Sequence, residues 1–445
     1  MPRDDSSTSK PFLATDRRRL LLGLGAAAGG TLAGSLCPAQ AARAGTTSEA
    51  EHVADAPLGT ARLQQRQPFH GPHQAGIVTP RPAAGLVAAF DVVVQSPADL
   101  ERLFRALTVR IAFLTQGGRT PQLDPKLPPA DSGILGPEIE PDNLTITVGL
   151  GAALFENRPW LRPFKPKHLQ RMAGFPNDAL DPELCHGDLS IQFCANTPDS
   201  NIHALRDLLK NLSDQLVLRW LQDGSVPVVA PAADGEKQSA RNLLGFRDGT
   251  ANPDSGDPAT MARVVWVGEA NDEPAWARGG SYQVVRIIRM LVESWDRTPL
   301  GEQQRIFGRK KVSGAPLDGR TEADVPDYAA DPDGRVTPLD SHIRRANPRT
   351  PEAREHLILR RPFNYANGVT KSRQLEQGLL FVCYQADLEK GFLTVQGRLD
   401  GEPLEEYVKP IGGGYFYALP GVPRPGDYLG RPLVEALAAR PSTPS

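Results

Sequence analysis

The sequence lacks an excess of charge of either sign. Among its 445 residues, 50 lysine and arginine residues stand against 52 aspartate and glutamate residues, and the formal net charge is −2. A chain this close to neutrality has no overall basic field with which to hold nucleic acid or an anionic membrane. We therefore expect no nucleic-acid partner.

Cysteine is also scarce, with four residues in the whole chain. Cys37 falls in a segment that we expect to be removed, and the three cysteines that remain cannot form a full disulfide framework. Cys194 and Cys383 lie in apolar runs and are interpreted as small buried hydrophobic residues. A bridge between Cys185 and Cys194 stays open at this point.

An uncharged apolar run, residues 20–36, directly follows three arginines, Arg17 to Arg19. A membrane anchor is the alternative interpretation, but the run is short and only weakly hydrophobic for that role. Small residues alternate over 39–41 and 42–44, as at cleavage sites. We therefore predict a twin-arginine signal peptide over 1–44, which carries an already folded protein to the periplasm or out of the cell.

The length of the remaining chain predicts two domains, because domains usually contain about 100–200 residues. Residues 45–85 are polar and rich in proline and are predicted to form an N-terminal arm. We place the two domains at 86–255 and 256–430. Residues 431–445 are predicted to be a C-terminal tail.

The first predicted domain combines alternating apolar strands with amphipathic helices. Residues 86–94 are predicted to be a strand, and Ser96 and Pro97 are typical of a helix start. Apolar residues alternate over 144–150 as in a half-buried strand, and again over 189–193. This pattern predicts an antiparallel sheet covered by helices on one face.

The second predicted domain repeats this plan. We predict a helix that begins at Thr298 and Pro299 and ends near Gly308, and a long loop over about 312–340. A further helix is expected over 388–399. The predicted strands are 264–267, 282–290, 379–385 and 415–419. The fold class is therefore predicted to be α+β.

The segment 245–253 is the clearest candidate for a catalytic or ligand-binding site. Asp248 lies between Arg247 and Gly249, and an Asn-Pro pair follows. A simple turn is the alternative, since Asp-Gly and Asn-Pro both favour turns. Because Gly245 and Gly249 flank this acid, the backbone can also approach a ligand closely.

His342 is a second candidate, because four arginines lie within seven residues of it. Such a cluster suits a dianionic ligand such as the two propionates of a haem. Arg360 and Arg361 follow at the end of an apolar run, where an edge strand with solvated charges is the alternative. His70 and His73 could form a metal pair, although we favour a structural role for them.

Taken together, these motifs resemble the dye-decolorizing peroxidase family. The resemblance is carried by Gly-x-x-Asp-Gly at 245–249, by His342 followed by Asn347, Pro348 and Arg349, and by an arginine 18 residues after the histidine. Three further segments resemble its twin-arginine-exported branch, the peroxidase/deferrochelatase component of a ferrous-iron uptake system: 69–77, 378–391 and 405–414. One departure is Pro362, where the family often has glycine.

The resemblance implies two ferredoxin-like domains, each an antiparallel sheet with helices, and one haem b in the second domain. It implies that His342 binds the haem iron and that Asp248 and Arg360 are catalytic. It also implies that the ring nitrogen of His342 that does not bind iron donates to a carboxylate, which we expect to be Glu406, with Glu405 as the alternative. The residues expected to contact the haem are Gly249, Thr250, Ala251, His342, Asn347, Pro348, Arg349 and Arg360. The family also implies a homodimer.

Three functions are compatible with this resemblance. The first is a peroxidase that uses hydrogen peroxide to oxidise dyes, phenols or porphyrinogens. The second is a deferrochelatase, which releases iron from haem and leaves the porphyrin ring intact, together with partners in an iron-uptake permease system. The third is a non-enzymatic carrier of haem or iron. A carboxylate base has an ordinary pKa near ~4, so the peroxidase is expected to work best in acid.

Overall fold

The structure is a computed structural model that describes residues 60–121, 124–129, 131–227, 229 and 238–439. The predicted signal peptide and the first part of the predicted arm lie outside these residues, so both stay predictions. No helix in the described part of the chain combines the length and the apolar character needed to cross a membrane.

Antiparallel strands form the centre of the described fold. In chain order they are β1 (Ala84–Val92), β2 (Gly118–Arg119), β3 (Glu138–Ile139), β4 (Thr145–Gly151), β5 (Leu189–Ala195), β6 (Leu216–Ser225), β7 (Ser281–Met290), β8 (Leu359–Arg360), β9 (Phe363–Val369), β10 (Leu375–Gln385) and β11 (Val408–Ala418). Nine of them form one sheet in the order β7-β11-β4-β5-β1-β6-β9-β10-β8, and β2 pairs with β3. Strands from both predicted domains therefore belong to the same sheet.

An additional pairing between β7 and β10 closes this sheet into a ring of eight strands, with β8 attached to β10. The closure explains an error in the sequence prediction. β4 was expected to be half-buried, but every residue of β4 is buried. Its second face points into the ring instead of into solvent, so the polar residues of that face are buried as well.

Several polar side chains inside the ring hydrogen-bond to one another, beside a cluster of buried apolar residues. Ser190 donates to Gln283 Oε1 at 2.9 Å, and Gln283 Nε2 donates to the hydroxyl of Tyr384 at 2.8 Å. That hydroxyl donates to Gln192 Oε1 at 3.1 Å. Buried polar groups that pair in this way avoid the cost of unmade hydrogen bonds.

Helices cover the sheet and connect its strands. In chain order they are α1 (Thr60–Leu63), α2 (Pro97–Gln116), α3 (Ala152–Glu156), α4 (Pro198–Asn211), α5 (Pro258–Val264), α6 (Val292–Trp295), α7 (Leu300–Phe307), α8 (His342–Ala346), α9 (Thr394–Leu399) and α10 (Arg431–Ala438). A π-helical turn at Glu389–Leu393 leads into α9, and short 3-10 turns occur in several connections.

The start of α2 confirms the helix start predicted at Ser96. The Ser96 side chain accepts a hydrogen bond from the backbone of Asp99, and the Asp99 carboxylate accepts one from the backbone of Ser96. This reciprocal pair is a capping box, which satisfies two backbone N–H groups that have no partner inside the helix. The buried face of α2 is largely apolar, as expected for the amphipathic helices predicted in this part of the chain.

The strand predicted at 264–267 is wrong. Val264 ends helix α5, and the residues after it form a turn and an irregular segment. Asp257 caps this helix through a hydrogen bond from Ala259 N at 3.0 Å, and Pro258 occupies its first position. This start signal outweighs the β propensity of the valines that follow.

Two other features of the second half agree with the sequence. Helix α7 ends at Gly308, which adopts a left-handed conformation with φ of 82°. The long loop predicted over 312–340 contains neither helix nor strand.

The predicted C-terminal tail contains α10. Leu433 of this helix is fully buried and packs in the core that also contains residues of α2.

The cysteines of the described residues are all free and buried. Cys185 and Cys194 form no disulfide, which settles the open question of a bridge between them. Burial raises the pKa of the Cys194 thiol, as expected for a thiol that serves as a small hydrophobic residue.

Candidate functional site

One large cavity brings together most of the residues that the sequence singled out. Its empty space amounts to about 1770 Å³, part of it open to solvent. Asp248, His342 and Arg360 all line this cavity, although they come from three separate parts of the chain. Apolar side chains, including Phe307 and Phe381, line it as well.

His342 is held at the cavity by the first turn of α8. Ser341, directly before this helix, is fully buried and its hydroxyl donates to Pro338 O at 2.8 Å. The helix packs closely on Gly308, where an added Cβ would lie 2.7 Å from Cγ1 of Ile343 and 3.0 Å from Oγ of Ser341. A glycine at the end of α7 therefore lets α8 approach closely enough to place His342.

The partner of His342 is Glu402, and the prediction of Glu406 is wrong. Nδ1 of His342 lies 3.0 Å and 2.9 Å from the two carboxylate oxygens of Glu402, whose side chain is 5% exposed. Glu405 lines the same cavity but has no hydrogen bond to the histidine among the described residues. Burial lowers the pKa of His342, but the charge and hydrogen bond of Glu402 together hold it above its ordinary value.

Asp248 and Arg360 form the second polar pair of the cavity. Nη1 of Arg360 donates to Oδ1 of Asp248 at 2.9 Å, with side chains 27% and 15% exposed. The backbone of Arg360 is fixed by Asn252, whose Oδ1 accepts from Arg360 N at 2.8 Å and whose Nδ2 donates to Arg360 O at 3.0 Å. The segment 245–253 is thus more than a turn, because it supplies Asp248 and also fixes the strand that carries Arg360.

The neighbours of Asp248 in this segment also line the cavity. They are Gly249, Thr250 and Ala251, as the sequence predicted for haem contacts. Asn347 and Arg349 line it too, whereas Pro348 is not among the described lining residues. Arg349 adopts a left-handed conformation with φ of 60° directly after that proline.

The arginine cluster around His342 has a different role from the predicted one. Arg344 donates to the backbone oxygens of Thr337 at 2.8 Å and Asp331 at 2.7 Å, and Arg345 donates to Asp400 O at 2.8 Å. These two arginines fix loops and are not among the described lining residues of the cavity. Of the four arginines near His342 in sequence, Arg349 alone is among them.

Three further arginines that were not predicted as site residues line the cavity: Arg247, Arg286 and Arg309. The side chains of all three are largely buried, and Arg309 Nη1 donates to Gly314 O at 2.6 Å. Arg247 sits next to Asp248 and could have been noted from that position alone. Arg309 offers only the weaker signal of following the helix-ending Gly308.

The residues of the cavity fit a haem. Because Nδ1 of His342 is engaged by Glu402, Nε2 is left without a hydrogen-bond partner in the described part of the chain, as an iron ligand requires. Arg309 and Arg349 offer guanidinium groups for two propionates. The apolar lining suits the porphyrin ring.

The contacts of His70 and His73 indicate a structural role for both residues. Nδ1 of His73 lies 2.7 Å from Gly279 O, and its ring stacks on Trp266 with centroids 3.7 Å apart. His70 forms a β-bridge with Val422. Within the described residues, no group of three histidine, cysteine, aspartate or glutamate side chains is arranged to hold a metal ion.

Two segments of the chain match known protein families. Residues 74–225 match the family described as "Dyp-type peroxidase, N-terminal", and residues 239–423 match "Dyp-type peroxidase, C-terminal". Together the two matches cover most of the chain.

Several curated relatives are similar over nearly their whole length. A protein of Escherichia coli O6:K15:H31 named deferrochelatase is 57% identical over 434 residues, which are 97% of this chain and 99% of the relative. A deferrochelatase of Shigella sonnei is 56% identical over 435 residues, again 97% of this chain and 99% of the relative.

Solved structures resemble the fold closely. A DyP-type peroxidase from Cellulomonas bogoriensis has a TM-score of 0.74 at 38% identity, covering 84% of this chain and 99% of the other. Ferric DtpA from Streptomyces lividans has a TM-score of 0.75 at 34% identity, covering 85% and 100%. The predicted α+β class with ferredoxin-like units is confirmed.

Proposed function

The chain belongs to the Dyp-type peroxidase family and is a haem enzyme, and from that premise we propose how its own residues act on hydrogen peroxide. The proposal rests on one observation: two polar pairs, His342 with Glu402 and Asp248 with Arg360, line the same cavity. The first pair binds and tunes the cofactor. The second pair acts on the peroxide.

His342 is proposed to bind the haem iron through Nε2. Glu402 accepts a hydrogen bond from Nδ1–H, which fixes the orientation of the imidazole ring and makes Nε2 a stronger donor to the metal. Arg309 and Arg349 are proposed to hold the propionates. When bound, the haem supplies the redox chemistry that no side chain of the cavity can perform.

Asp248 is proposed to move a proton between the two oxygens of hydrogen peroxide. Oδ1 of Asp248 is occupied by Arg360, so Oδ2 is the atom that accepts the proton from one peroxide oxygen and returns it to the other. Arg360 is a fixed positive charge beside the negative charge that develops as the O–O bond breaks. Peroxide takes up two electrons and two protons in all and leaves as water, and the electrons come from dyes, phenols or porphyrinogens.

Two substitutions test these roles. Asp248→Asn and Arg360→Leu should each slow the reaction of peroxide with the resting holoenzyme by about 10²–10³, measured by stopped flow, while the haem spectrum is retained. A variant that keeps the wild-type rate would remove its residue from the proposed mechanism. Asn367→Ala, on a neighbouring strand outside the cavity, is the control for a general effect on the fold.

A second activity, release of iron from haem, is favoured by the relatives named deferrochelatase, which are similar over 97% of this chain. In this reaction the porphyrin gains two protons as the iron leaves, and the ring stays intact. Incubation with haem, with and without peroxide, followed by fluorescence analysis of the porphyrin, separates the two activities. A metal-free porphyrin supports iron release, and haem recovered intact alongside an oxidised phenol supports the peroxidase alone.

We further propose that the chain is exported to the periplasm by the twin-arginine route, where it serves iron uptake with permease partners as a homodimer. Two observations support this proposal. A run of arginines precedes an uncharged apolar segment, and the sequence resembles the twin-arginine-exported branch of the family. Replacement of Arg17 and Arg18 with lysine should leave the protein in the cytoplasmic fraction. Continued export of that variant would contradict the proposal.

A further inference from the structure

A carboxylate outside the cavity holds the residues on both sides of Asp248. Glu322 lies in the long loop between α7 and α8, and its Oε1 accepts a hydrogen bond from Thr250 Oγ1 at 2.7 Å. Its Oε2 lies 3.6 Å from Nε of Arg247 and accepts from Ser239 N at 3.2 Å. Arg247 precedes Asp248 directly, and Thr250 follows it by two residues, so one side chain fixes the loop from both ends.

The backbone at Gly314 passes close to the side chains of both Arg247 and Glu322. Gly314 adopts φ of 77°, and an added Cβ there would lie 2.6 Å from Cγ of Arg247 and 3.3 Å from Cγ of Glu322. The backbone oxygen of Glu322 also accepts from Arg309 Nη1 at 3.2 Å. The long loop is therefore shaped to bring Glu322 against the Asp248 segment.

Glu322 is charged in this setting. Burial favours the neutral acid, but hydrogen bonds from Ser239 and Thr250 and the charge of Arg247 outweigh it and hold the pKa of Glu322 below its ordinary value. Arg247 and Glu322 are only 9% and 11% exposed. Their interaction is screened less than that of a surface pair.

Positive groups face Asp248 from several elements. Arg360 contacts it from β8, and Arg81 lines a smaller cavity together with it. His342 and Arg81 both interact with its charge through space. Arg247 adds a further positive charge from the same loop, and Glu322 is the carboxylate that balances Arg247.

We propose that Glu322 is a positioning residue for Asp248, which fixes the Asp248 loop and neutralises Arg247 so that Asp248 can both accept and return a proton. This inference rests on the proton-transfer role proposed for Asp248. Glu322 itself does not line the cavity among the described residues and acts through Thr250 and Arg247.

The test is the pH profile of the reaction between hydrogen peroxide and the resting holoenzyme. Glu322→Gln should lower the plateau rate constant about 10-fold to 100-fold, since small displacements of a reacting group have effects of this size. Its acid limb should move to lower pH by about half a unit to one unit, because one negative charge near Asp248 is lost. Glu322→Asp, which keeps the charge, should leave the acid limb in place.

A double variant separates charge from position. Arg247→Gln combined with Glu322→Gln restores the net charge near Asp248, so its acid limb should return to the wild-type pH while the plateau stays low. Asp327→Asn is the matched control, because Asp327 lies in the same loop and its carboxylate accepts hydrogen bonds, within the described part of the chain, only from Ala329 N and Ala330 N of that loop. It should keep the wild-type profile.

The outcomes are distinct. A Glu322→Gln enzyme with the wild-type plateau and acid limb overturns the inference, and so does an equal effect of Asp327→Asn, which would make loop order the cause. If Asp248→Asn itself keeps the full rate, the proposed function fails instead. Retention of the haem absorbance band in each variant shows that the protein has folded with its cofactor.

Discussion

Asn252 and Arg360 exchange two hydrogen bonds across 108 residues of chain, with Asn252 Oδ1 accepting from Arg360 N at 2.8 Å and Asn252 Nδ2 donating to Arg360 O at 3.0 Å. Through this pair the loop that carries Asp248 also sets the position of the arginine that contacts Asp248. The two groups proposed to act on peroxide are therefore positioned as one unit.

We expect Asn252→Ala to slow the reaction of peroxide with the resting holoenzyme by about tenfold or more, because Arg360 is no longer held at a fixed distance from Asp248. Stopped-flow absorbance measures this rate. Asn367→Ala is the matched control, since Asn367 also exchanges two hydrogen bonds with one partner, Gln222, away from the cavity. Equal effects of the two variants would contradict the positioning role of Asn252.

Glu402 should control how tightly haem is bound. Glu402→Gln removes the charge that pairs with His342, and loss of such a partner typically weakens metal binding by about 10–100-fold. Haem transfer to an acceptor protein measures this loss, and the reduction potential of the iron should rise in the same variant. Glu406→Gln tests the partner that the sequence suggested, and it should match the wild type in both measurements.

Breaking the buried ion pair between Arg286 and Asp178 from one side should strongly destabilise the fold. The two side chains are 1% and 4% exposed, and Arg286 Nε and Nη1 have no hydrogen-bond partner among the described residues. Arg286→Met leaves Asp178 buried and unpaired, and should lower the free energy of unfolding by about 3–5 kcal/mol. The double variant Arg286→Met, Asp178→Leu should lose clearly less, as measured by urea unfolding. A double variant as unstable as the single one would contradict this account.

Acid should loosen the long loop between α7 and α8 through Asp324. Hydrogen bonds from Arg320 N, Thr321 Oγ1 and Thr321 N to its carboxylate lower the pKa of Asp324 to about 2. A carboxyl whose pKa is lower in the folded state stabilises that state above its unfolded pKa of about 4, and this contribution is lost as pH falls toward 2.

Pepsin cleavage within 312–340, corrected for the activity of pepsin on an unstructured peptide, measures this effect. The wild type should be cleaved faster as pH falls from about 4 to 2. Asp324→Asn should show a much weaker pH dependence. Asp333→Asn is the control, because Asp333 is 68% exposed and, among the described residues, pairs with Arg335 alone, which is 84% exposed, and it should follow the wild-type profile.

Local features of the fold could be predicted from the sequence. The capping box at Ser96, the end of α7 at Gly308 and the long loop over 312–340 depend on neighbouring residues, whose chemistry is visible in the sequence. The residues Asp248, His342 and Arg360 were found through motifs, and the structure brings them to one cavity.

Features set by distant contacts could not be predicted. Glu402 reaches His342 across 60 residues, and nothing in its local sequence distinguishes it from Glu405 or Glu406. The closure of the sheet by β7 and β10 buries both faces of β4, which its alternating pattern cannot reveal. The arginines next to His342 looked like ligand contacts, but Arg344 and Arg345 bind loop carbonyls that only the folded chain brings near.

The visible absorbance spectrum of purified His342→Ala, set beside that of the wild type, tests the central assignment most directly. Wild-type protein should show the spectrum of a histidine-ligated ferric haem. His342→Ala should lose the haem or give a spectrum without histidine ligation. If this variant binds haem with an unchanged spectrum, His342 is not the iron ligand, and the roles assigned to Glu402, Asp248 and Arg360 around it are contradicted as well.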